Sequence, residues 1–187
     1  MTTYETSMSM FDARQRYFSD NGFDGSYSER WVKLKAGPIP IYLYNAAGRR
    51  RAVQIHDLHH IATGYQTTWT GEAEIAAWEV AGGCGRFAWA WFLNLSAFAI
   101  GLAVAPRPAF RAFVRGRHTR NLYHDGEFRD AILQRSVGEI RQRLGLDRPV
   151  PRVSPGDAAA FAAWAIGATL FSLAPLALIA YLVTLAF

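Results

Sequence analysis

Thirty consecutive residues, Ala158 to Phe187, carry no charged side chain. The backbone amides and carbonyls of such a run need partners that its side chains do not supply, and a helix satisfies them within the segment itself. As one helix the run would be about 45 Å long, beyond the roughly 30 Å hydrocarbon core of a bilayer. Pro175 divides it, so a kinked helix and a short hairpin both fit. A charge-free helix of that length is hard to cover in a soluble core, and the stretch is read as a membrane segment. Everything else in the chain has to be compatible with it.

A second apolar block runs from Phe87 to Ala105, broken only by Asn94 and Ser96 and stopped by Pro106 and Pro108. Nineteen residues just suffice to span. The favoured reading is instead a buried or monotopic helix that lines a pocket for a lipid tail, because spanning would separate two arginine-bearing flanks. Between the blocks, Pro106–Gly156 holds eleven arginines against five acids, a net +6 beside a whole-chain +5. Basic sequence next to apolar segments points to anionic headgroups or a phosphorylated ligand. No aromatic-interleaved basic strand is visible, which argues against nucleic acid. With the arginines preceding it, the last segment is expected to anchor the protein at the cytoplasmic face of a bacterial inner membrane. A single cysteine, Cys84, excludes an internal disulfide and a cysteine knuckle and fits a reducing compartment. The first residues have neither the charge nor the apolar run of a secretory signal.

The expected architecture is all-α. Residues 1–45 form a polar, extended lead-in that packs on the body, with a short amphipathic helix at Phe11–Phe18 closed by the turn pairs Asn21-Gly22 and Asp24-Gly25. Gly37-Pro38-Ile39-Pro40 is a rigid extended passage, and Ile41–Tyr44 continues it with no partner strand in sight. Residues 46–147 form a compact helical domain, 148–156 a Pro-rich linker and 157–187 the membrane segment. Within the domain, helices are expected from Ala46 to near Gly64, from Gly71 to Ala81, over Ala109–Tyr123, over Glu127–Gln134 and over Val137–Gly145. The last opens with the capping box Ser136-x-x-Glu139.

Three of the five histidines fall in His56-Asp57-Leu58-His59-His60. On a helix His56 and His60 lie one turn apart and can grip one ion, with Asp57 about 100° round. The short linker Tyr65–Thr70 brings the next helix back antiparallel, so that Glu72 in its first turn reaches His60. Two imidazoles and one or two carboxylates leave a coordination position open, as a catalytic rather than a structural ion requires. His59 sits on the flank, suited to supporting the ligands or meeting substrate. Arg115 and Arg117 can hold a carboxylate or phosphate headgroup. Tyr65, Trp69 and Trp78 are placed to flank an aromatic ring or to pack in the core.

Two familiar patterns fail. A zincin has Glu directly after the first His, where this chain has Asp57. The His-x-x-His-His box of membrane desaturases is present literally, but only His118 and His124 remain outside it, too few for their two irons. His56-Asp57-x-x-His60, eleven residues and then Glu72 resembles instead the coenzyme Q (ubiquinone) biosynthesis protein 4 family. Thr63-Gly64, Gly71-Glu72-Ala73, Trp78-Glu79 and the run Arg115-Gly116-Arg117, Asn121-Leu122, Val137 to Leu146 resemble that family as well, so the likeness covers about residues 40–146. The C-terminal apolar segment and the lead-in depart from it. The resemblance implies an all-helical protein of ubiquinone biosynthesis whose ligands to a divalent metal, usually taken as zinc, are His56, Asp57, His60 and Glu72. It implies oxidative decarboxylation, the C1 carboxyl of a polyprenylated hydroxybenzoate being replaced by hydroxyl, with other quinone-biosynthesis proteins as partners. The ligand set itself also suits iron(II). A non-catalytic scaffold that presents a prenyl lipid and a metal-dependent lipid hydrolase are the alternative functions.

Overall fold

The histidine cluster lies on α2 (Ala47–Thr63), and the carboxylate expected to join it lies on α3 (Trp69–Gly82). These elements belong to a computed structural model of the chain that describes residues 4–23, 27–34, 41–125, 130–150 and 152–186. Before them come α1 (Met10–Asn21) and two strands, β1 (Trp31–Leu34) and β2 (Ile41–Tyr44). After them come α4 (Ala88–Val104), α5 (Pro106–Arg117), a 3-10 turn at Leu122–Asp125, α6 (Asp130–Leu133), α7 (Val137–Leu144) and α8 (Pro155–Ala186). The fold is mostly helical, as the sequence leads one to expect.

α3 is the central helix. Ile75, Ala76, Ala77, Trp78 and Val80 are all buried on it, and it packs mainly against α5 and α4. Both neighbours approach closely through glycine. A Cβ on Gly101 of α4 would stand 2.7 Å from the Ala73 methyl, and one on Gly116 of α5 would stand 2.9 Å from that of Ala81 and press on the Trp78 carbonyl. Longer side chains there would push the helices apart.

α2 stops where the sequence places its stop. Gly64 takes the left-handed conformation (φ 79°) and returns its N–H to the His60 carbonyl, a helix ending that costs other residues more. The remaining terminal carbonyls are bound by arginines from afar. Arg141 donates to the carbonyls of Ile61 and Ala62, and Arg115 to that of Thr63. The end of α2 that carries His60 is thereby fixed from two sides.

Several expectations change. Ile41–Tyr44 does have a partner: it pairs antiparallel with Trp31–Leu34, in register from Trp31 opposite Tyr44 to Leu34 opposite Ile41. The lysine in Trp-Val-Lys-Leu disguises a strand whose other residues favour the pleated backbone. The arginine-rich helix ends at Arg117 rather than Tyr123, because Asn121 turns the chain, donating to the Gly83 carbonyl and accepting from the Tyr123 amide. The capping box at Ser136 and Glu139 is present in both directions. The lead-in is joined to the same place by Met10–Arg135, Met8–Val137 and Thr6–Gly138 backbone bonds. The Asp24-Gly25 turn, the Gly37–Pro40 passage and the start of the Glu127–Gln134 helix lie outside the described residues.

α8 is one continuous helix through Pro175, so the hairpin alternative is set aside. It is long and apolar enough to cross a membrane. Its start is not a loose linker. Asp157, almost wholly buried, accepts from the Ser154 amide and hydroxyl, and it pairs with Arg117 (3.3 Å) and His118 (3.2 Å) at the end of α5. The first half of α8 runs antiparallel along α4, with Phe161 on Phe98, Trp164 stacked on Trp91 and Phe171 on Phe92. α4 itself belongs to the body: Ala90, Asn94, Phe98 and Gly101 are buried on one side.

Candidate metal centre

The Nε2 atoms of His56 and His60 face each other at 3.1 Å. Glu72 closes the triangle, with one oxygen 3.6 Å from His56 Nε2 and the other 3.4 Å from His60 Nε2. Two ligands of a tetrahedral ion at ordinary Zn–N and Zn–O bond lengths stand about 3.3 Å apart. The two nitrogens and the two carboxylate oxygens thus stand at about the separations of ligands around one ion, and the cluster can hold a metal ion.

The far sides of both rings are already committed. His60 Nδ1 lies 2.9 Å from the Tyr65 carbonyl, which only accepts, so this nitrogen carries the proton. His56 Nδ1 lies 2.9 Å from Glu79 Oε1, and donation to that carboxylate leaves the His56 Nε2 lone pair aimed at that of His60. Two lone pairs 3.1 Å apart repel unless something positive lies between them. A metal ion meets that requirement, and its ligands would then be oriented by a carboxylate and a backbone carbonyl in the usual way. A proton meets it in the ion's place. Burial alone would lower the His56 pKa, but Glu79 and Glu72 outweigh it and hold the imidazole well above its ordinary value. Burial likewise works against Glu72, yet the two histidines hold its carboxyl well below the usual range.

Glu79 is the residue that reading the sequence for ligands passed over. It is fully buried and it gathers four donors. His56 and His59 (2.7 Å) give their Nδ1 protons to Oε1, while Asn94 and Tyr123 (3.1 Å) donate to Oε2. These neighbours overcome the effect of burial and keep it ionised. A signal was available: Glu79 stands seven residues after Glu72, on the same helical face, as the lone charge in an otherwise apolar turn.

Asp57 does not join the three converging atoms. It points toward α1, accepting from Tyr17 (3.4 Å) and, in a short bond, from Tyr27. Burial raises its pKa, and burial with Asp57 nearby raises both phenols, so the tyrosines remain donors. The 100° offset from His56 that helical geometry imposes is the reason.

The expected substrate contacts also divide. His59 is fully buried, its Nδ1 on Glu79 and its Nε2 accepting from the Leu122 amide at 2.8 Å. It braces the centre through Glu79, with both ring nitrogens engaged and no exposed surface. Arg115 is spent on the Thr63 and Leu146 carbonyls and lies over the Tyr65 ring. Arg117 is spent on Gly156 and Asp157. Trp69 is half-exposed at the start of α3. Trp78 is core, its indole donating to Thr119 with His59 against its face. Cys84 is buried, and burial with Glu79 nearby pushes its thiol up, which suits packing. Tyr65 does line a cavity beside His60, together with Tyr4, Tyr17, Asn21, Thr67 and Thr68. Tyr17 stacks on the His60 ring, with centroids 5.7 Å apart.

Compared with models of protein families, with curated proteins and with solved structures, the chain matches none.

Proposed function

We propose that this chain is a membrane-anchored, metal-dependent protein of ubiquinone biosynthesis that takes a polyprenylated hydroxybenzoate. The observation that carries the metal is the pair of opposed Nε2 lone pairs, 3.1 Å apart, with Glu72 beside both. The resemblance of the His56-Asp57-x-x-His60 and Glu72 pattern supplies the pathway. Zinc is the ion that the resemblance favours, and iron(II) suits the same donors. The observed geometry supports a ligand set of His56, His60 and Glu72, without Asp57.

The proposed reaction replaces the C1 carboxyl by hydroxyl. The C1–carboxyl bond breaks with loss of carbon dioxide, a C1–oxygen bond forms, and the ring carbon is oxidised by two electrons. Dioxygen supplies the oxygen atom, its second atom leaves as water, and a two-electron donor with two protons closes the balance. A bound divalent ion would act as a Lewis acid toward the phenolate and carboxylate oxygens. The chain's own part is to orient and enclose. Tyr17 and Tyr65 flank the cavity beside His60, and Asn21, Thr67 and Thr68 offer polar contacts to ring substituents. Asp57 holds Tyr17 in place.

The test is a His60→Ala variant, compared with the parent for metal content and for rescue of a ubiquinone-deficient strain. Loss of both, with build-up of a carboxylated prenyl precursor in the lipid extract, is the expected result. Full metal content and full rescue would overturn the site, and unchanged quinones in cells lacking the protein would overturn the pathway. A scaffold that merely presents the lipid would survive His60→Ala without build-up.

A further inference from the structure

The β1–β2 pair leads into the first turn of α2, which touches the same end of α4 that α8 contacts. Trp31, Tyr42 and Tyr44 are all more than half exposed, although they are the largest side chains of their strands. Gly48, four residues after Tyr44, lies against the Trp89 indole, so closely that a Cβ there would meet its Cδ1 at 2.9 Å. Trp89 rests on Phe92, and Phe92 on Phe171. Much of α8 from Ile166 onward faces outward: Ile166, Leu170, Leu173, Leu178, Ile179, Leu182 and Leu185 are each more than half exposed. Twenty residues, Gly167–Ala186, cover about 30 Å as helix, the thickness of a hydrocarbon core. One turn before Gly167 stands Trp164, stacked on Trp91 at 5.5 Å.

The indoles of Trp89, Trp91 and Trp164 are thus gathered around the level at which α8 would enter lipid, as amphipathic rings gather at a headgroup boundary, and the strand pair that carries Trp31 runs into the neighbouring start of α2. Charge points the same way. The stretch Ser28–Arg51 carries six basic residues and one acid, and Arg50 and Arg51 are exposed on the first turns of α2. A surface that pairs exposed indole and phenol rings with excess positive charge matches an anionic membrane interface.

We propose that the β1–β2 hairpin is a second membrane contact, which inserts Trp31, Tyr42 and Tyr44 among anionic headgroups beside α8. This rests on α8 as the anchor, and the test separates the two. The full chain, with Cys84→Ala to remove the native thiol, is labelled with an environment-sensitive fluorophore at Tyr42→Cys, at Leu182→Cys or at the exposed Arg120→Cys. It is reconstituted in phosphatidylcholine vesicles with and without phosphatidylglycerol, and bromine-bearing lipids serve as quenchers. The expected result is strong loss of emission at position 182 in both vesicles, loss at 42 that grows with phosphatidylglycerol and shrinks with added salt, and no loss at 120. Quenching at 182 with none at 42 overturns the hairpin contact and leaves the anchor standing. No quenching at 182 overturns the anchor. A blue shift at 42 that persists in detergent without lipid quenching assigns the hairpin to a protein surface and overturns the proposal.

Discussion

Glu79 Oε1 lies 2.9 Å from His56 Nδ1, joining a fully buried carboxylate on α3 to a ring on α2 whose other nitrogen faces Glu72 and His60. The bond fixes which His56 nitrogen is left for an ion, and His59 shares the same oxygen at 2.7 Å. The orientation of the centre depends on Glu79 as much as its composition depends on Glu72.

Glu79→Gln should therefore weaken metal binding without removing a ligand. Loss of an outer carboxylate of this kind costs about 10- to 100-fold in affinity, read by competition with a coloured chelator. Glu79→Ala should cost more in stability, about 3–5 kcal/mol, because four buried donors lose their acceptor at once. Denaturant melts of the metal-free protein measure it.

Asp57→Asn tests whether this carboxylate is a ligand. The geometry predicts unchanged metal stoichiometry and a loss of about 1–2 kcal/mol, from weakened bonds to Tyr17 and Tyr27. A variant that folds but no longer takes up metal would restore Asp57 to the ligand set.

Metal affinity should rise with pH across the neutral range. The proton on His56, held there by Glu79 and Glu72, must leave before Nε2 can bind an ion. Below the folded pKa each ion bound displaces that proton, so affinity climbs by up to about tenfold per pH unit and levels off above it. Chelator competition between about pH 6 and 8 checks the sign. An affinity that falls with rising pH would exclude this protonation scheme.

Gly116→Ala places a methyl between α5 and α3, against the Trp78 carbonyl and the Ala81 side chain. Overpacking of that sort costs about 1–3 kcal/mol. Since α3 carries both Glu72 and Glu79, metal affinity should fall along with the melting temperature.

The helical skeleton was legible because its signals are local: Gly64 ends α2, Ser136 and Glu139 cap α7, and a charge-free run makes α8. His56, His60 and Glu72 were legible because helical spacing and a five-residue loop fix their separation. Glu79 was not, since its partners His59, Asn94 and Tyr123 come from three different segments of the chain. Asp57 enters the expected ligand set through the family resemblance, whereas the 100° turn from His56 aims it at Tyr17 and Tyr27. Composition also hides what the arginines hold. Arg115 and Arg117 look like anion ligands by composition, whereas Arg115 covers the Thr63 and Leu146 carbonyls and Arg117 the Gly156 carbonyl and Asp157, partners that only the fold brings near.

The clasp of Asp157 by Arg117 and His118 ties the start of α8 to the end of α5 and so limits how freely the body can swing about that helix. A flexible leash would let the body tumble over a wide arc and meet solutes from any side. A bolted joint gives the His60 cavity one bearing relative to α8, so that, were α8 to lie in a bilayer as proposed, anything arriving from the bilayer would meet the cavity from one direction.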